Sequence, residues 1–165
     1  LFHVSPGVSG LVTGVGIFLA IGVLTYSTLG PGPFNLDPQN RPGAFEPFLT
    51  KYIRAGEYVI GLATGSIVLL VGSSALHSQG GRLPWFYASP LLLLAFCVIY
   101  GVAFMVWVIY NYEEHQHGNP HTRFAYSLSL SLGFSSLACF CVGYVWLIFR
   151  VTNPAIDYFR FDGWL

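Results

Sequence analysis

The residues best suited to chemistry are gathered in one polar run, Glu113-Glu114-His115-Gln116-His117-Gly118-Asn119-Pro120-His121. Imidazole and carboxylate groups ligate zinc, copper or iron, so Glu114, His115, His117 and His121 are the candidate metal ligands. In an extended segment His115 and His117 bring two imidazoles close together. On a helix, residues two apart point in different directions and the pair is split. The plainer reading is a solvated turn ahead of Pro120.

Two other histidines are candidates for a haem. His77 ends one apolar run and His3 precedes another, and with an even number of crossings between the termini both belong to one side of a membrane. A bis-His pair is therefore allowed by topology. A chlorophyll-type pigment asks for less, since a single His, Asn, Gln or carbonyl can hold it. The sequence requires no cofactor, leaves haem or pigment open, and leads us to expect bound lipid.

Charge inside an apolar span would mark a transport or proton path. Arg54 and Glu57 stand near the entrance of one span, three residues apart, where they can pair with each other. Arg123 and Arg150 bracket another. The Gly14-x-Gly16 fragment lies within an apolar stretch and cannot open a dinucleotide-binding unit. Without a phosphate-binding glycine loop, a selectivity loop or a serine-nucleophile motif, the sequence argues against a self-sufficient pump or hydrolase. Cys97, Cys139 and Cys141 all sit in apolar runs and read as small packing residues. The Cys139-x-Cys141 spacing is not the pattern of a thiol oxidoreductase.

The elements that position these residues follow from composition. Of 165 residues 54% are hydrophobic and only 8% are Asp, Glu, Lys or Arg, against about 25% charged in a soluble domain. So little charge cannot cover a water-exposed surface. Seven basic and seven acidic residues cancel, which gives no support for a nucleic-acid partner. Four apolar stretches, 8–29, 52–75, 85–112 and 124–149, each approach the ~20 residues needed to cross a hydrocarbon core. Gly30-Pro31-Gly32-Pro33 stops the first, and 30–51 reads as a loop. A short turn at Ser78 to Arg82 makes the second and third antiparallel neighbours. Asn153-Pro154 is expected to end the fourth, leaving 150–165 as an aromatic tail at the membrane interface. Trp85, Tyr87, Trp107, Tyr110 and Tyr112 lie near the span edges, at headgroup depth.

The expectation is an all-α membrane protein: one domain over 1–165, a four-transmembrane-helix bundle with short loops. Leu1 stands where an initiator Met would, so an upstream segment is expected to have been removed or left out. The stretch 8–29 lacks a basic n-region and exceeds a signal-peptide core of roughly 7–15 residues, so it reads as a retained span. Loop arginines and lysines divide four against three between the two sides (Arg41, Lys51, Arg54, Arg123; Arg82, Arg150, Arg160), which sets no orientation.

Small residues recur on helix faces. Gly10-x-x-x-Gly14, Gly61-x-x-x-Gly65 continuing to Gly72, Cys97-x-x-x-Gly101, and Ser129, Gly133 and Ser136 are the candidate helix-packing sites. Membrane helices associate by close packing, and small side chains let backbones approach. Such a face either packs the four helices on one another or docks a partner subunit or a flat cofactor. Four-span layouts occur in unrelated groups, so architecture names no family. The function expected is that of a small non-catalytic membrane subunit of a larger complex, with the lipid bilayer and other membrane proteins as partners. A haem-, metal- or pigment-bearing anchor of an electron-transfer complex and a junctional or channel-modulating tetraspan are the alternatives. Which membrane holds it is not legible.

Overall fold

A computed structural model describes residues 6–30, 46–72, 87–118 and 122–161. The described residues form four helices: α1 (Pro6–Thr28), α2 (Glu46–Gly72), α3 (Ala88–Gln116) and α4 (Arg123–Phe161). Each is long and apolar enough to cross a membrane. The bundle is all-α, as the four apolar runs predict, and the described residues contain no strand.

Local sequence explains most of the helix ends. Pro6 opens α1, Pro47 is the second residue of α2 and Pro90 lies in the first turn of α3, positions where a missing N–H is an orphan anyway. Thr122 caps α4, its Oγ1 accepting from the Ala125 N–H at 3.2 Å. Gly118, with φ 84°, closes α3 in a left-handed conformation, and its N–H donates to the His115 carbonyl at 3.0 Å.

Three boundaries differ from expectation. The loop predicted over 30–51 is helical from Glu46, because a proline in a first turn does not obstruct a helix. The third helix runs past 112 to Gln116, so Glu113, Glu114 and His115 occupy its last turns rather than a separate turn segment. The fourth helix continues to Phe161, through the end predicted at Asn153-Pro154. A proline inside a helix removes one N–H and need not end it when flanking turns hold.

Antiparallel α3 and α4 form the most extensive contact, with Leu93 beside Gly143 at one end and the Trp107 indole N–H donating to the Ala125 carbonyl at 3.2 Å near the other. α1 lies in the groove between them, parallel to α3 and antiparallel to α4. α2 leans on α3 from the far side and meets α4 much less. Leu93, Leu94, Cys97, Cys139 and Ala63 form the buried centre. The interior is also rich in small polar groups: Ser135 is 0% exposed while Leu69 on the outside is 75% exposed. This distribution reverses that of a water-soluble bundle.

Candidate functional site

The polar end of α3 separates the predicted metal ligands. His115 and His117 are about 200° apart at 3.6 residues per turn. His115 is half-buried, and its Nδ1 has no hydrogen-bond partner among the described residues. His117 is exposed, and its Nδ1 stands 2.8 Å from the Glu113 carbonyl at the helix terminus. Glu114 is half-buried. No group of three His, Cys, Asp or Glu side chains gathers as a metal-ligand set among the described residues. His121, His3 and His77 lie outside the described residues, and so does any geometry of the haem pair.

The glycines divide into two classes. A Cβ on Gly10 would stand 2.9 Å from the Ser89 backbone, and one on Gly101 would stand 2.9 Å from Ile60 and 3.1 Å from Ser136. Gly14 faces the Phe96 ring, and Gly133 faces Phe104 at 3.2 Å. These contacts leave little or no room for a side chain, and they accompany the close approach of α1, α2 and α4 to α3. Gly61, Gly65 and Gly72 are different. All three are exposed, and no described residue lies within 4 Å of where their Cβ atoms would be, as is also true of Gly16 on α1. Packing within the bundle explains Gly10-x-x-x-Gly14 and leaves Gly61-x-x-x-Gly65 without a neighbour among the described residues.

The face of α2 that does pack is the opposite one. Ala63 is 0% exposed in the core cluster, Val59 and Ile67 pack beside it, and Ile60 meets Gly101. At 100° per residue Glu57, Gly61, Val68, Arg54, Gly72 and Gly65 fall within an arc of about 80° turned away from that core. All six are exposed. The pairing expected between Arg54 and Glu57 is not made, and neither forms an ion pair among the described residues. With α2 beginning at Glu46, Glu57 lies about three turns into the helix.

Between α2 and α4 the bundle opens into a cleft of about 250 Å³ floored by α3. Gly56, Gly101 and Gly133 line it together with Tyr52, Phe104 and Leu137. Gly143 is a close-approach position outside the small-xxx-small pairs of the sequence. A Cβ on Gly143 would stand 3.1 Å from Leu93.

A hydroxyl seam between α1 and α4 was also missed. Thr25 Oγ1 is 2.7 Å from Ser131 Oγ and 3.2 Å from Ser127 Oγ, all buried. The i, i+4 spacing of Ser127 and Ser131 was the available signal. Beside the seam, the Arg123 guanidinium donates to the Tyr26 carbonyl and lies 4.6 Å over the Tyr26 ring. None of these groups forms a nucleophile–base pair; they are couplings between helices. No protein-family model matches this chain, and no curated protein or solved structure matches it either.

Proposed function

We propose that the chain is a small, non-catalytic, multi-pass integral membrane subunit that packs into a larger membrane protein complex and stabilises or assembles it. One observation carries this reading. Among the described residues, the outward arc of α2 has three glycines with no neighbour within 4 Å, while Gly10, Gly14, Gly101, Gly133 and Gly143 are all in tight contact. A helix gains nothing from glycine against lipid, because glycine is about 1 kcal/mol poorer than alanine in a helix interior. Glycine on an outer face becomes favourable when another backbone comes close. Four helices long and apolar enough to cross a membrane, with large apolar side chains on their outer surfaces, support the multi-pass placement.

Gentle extraction from native membranes followed by native mass spectrometry tests the reading. The expected result is a species that contains this 18.1 kDa chain together with other membrane proteins. Recovery of the single chain alone, under conditions that keep neighbouring complexes intact, would rule it out.

A further inference from the structure

We draw no further inference here: the strongest candidate, the apolar cleft between α2 and α4 floored by α3, carries nothing further, because nothing in the structure shows what covers it.

Discussion

Thr25 Oγ1 lies 2.7 Å from Ser131 Oγ and joins the end of α1 to the start of α4, although the two residues are 106 positions apart in the chain. The Ser131 hydroxyl is also 2.7 Å from the Ser127 carbonyl, so the contact is one end of a short buried network. Such hydroxyl pairs between membrane helices average about 0.6 kcal/mol, because the separated helices find local partners for the same groups. We expect Thr25→Val, which keeps the branched shape, and Ser131→Ala each to lower stability by about 0.5–1 kcal/mol. Their combination should be less than additive. A double-mutant cycle on reversible unfolding of the reconstituted chain measures the coupling, and strict additivity would show that the seam contributes nothing.

The two classes of glycine should respond oppositely to one methyl group. At Gly10 a Cβ meets the Ser89 backbone, which cannot rotate away, so Gly10→Ala should destabilise the chain by about 1–3 kcal/mol. At Gly61 the Cβ meets no described residue within 4 Å. There Gly61→Ala should be neutral or stabilise the isolated chain by up to about 1 kcal/mol, through helix propensity. Unfolding of both variants in dilute detergent, where chains are separated, decides. Equal losses at the two positions would mean that α2 is packed on both sides.

This contrast also marks how far the sequence could be read. Four helices were legible because each apolar run approaches the length of a bilayer crossing and glycine–proline clusters punctuate them. Ends were less so: Pro47 reads as a loop residue although a first turn tolerates it, and Pro154 reads as a stop although α4 continues through it. Gly10-x-x-x-Gly14 and Gly61-x-x-x-Gly65 are the same pattern, yet one faces in and the other out. In a soluble helix polarity would have told them apart. Here both sides of a helix are apolar, so periodicity carries no signal of inside and outside.

Arg123 and Tyr26 provide a third test. The last turn of α1 leaves carbonyls without intrahelical partners. The Arg123 guanidinium donates to one of them, at Tyr26, and covers the ring below. A cation at a helix C-terminus is worth about 0.3–1 kcal/mol, and its stacking on an aromatic ring about 0.5–1 kcal/mol more at a partly exposed site. Arg123→Gln should therefore lower stability by about 1–2 kcal/mol. Tyr26→Leu keeps the carbonyl and removes only the ring, so its loss should be about half as large. A larger loss from Tyr26→Leu than from Arg123→Gln would show that the ring, not the cation, secures this end of α1.

Two adjacent serines on α4 should give changes of opposite sign. Ser136 donates to the Cys97 carbonyl at 2.8 Å, across the α3–α4 contact. Ser135 is 0% exposed, and its Oγ has no hydrogen-bond partner among the described residues. A buried hydroxyl without a partner costs roughly 1–3 kcal/mol relative to one that is satisfied. Replacing Ser135 with Ala keeps nearly the same volume, so no cavity offsets the gain, and stability should rise by about 0.5–1 kcal/mol. Ser136→Ala forfeits a made bond and should lower it by a similar amount, about 0.5–1 kcal/mol. Both changes can be read in one thermal or detergent unfolding series. A loss on Ser135→Ala would mean that its hydroxyl is satisfied in the membrane, by a partner contributed from outside the bundle or by bound water.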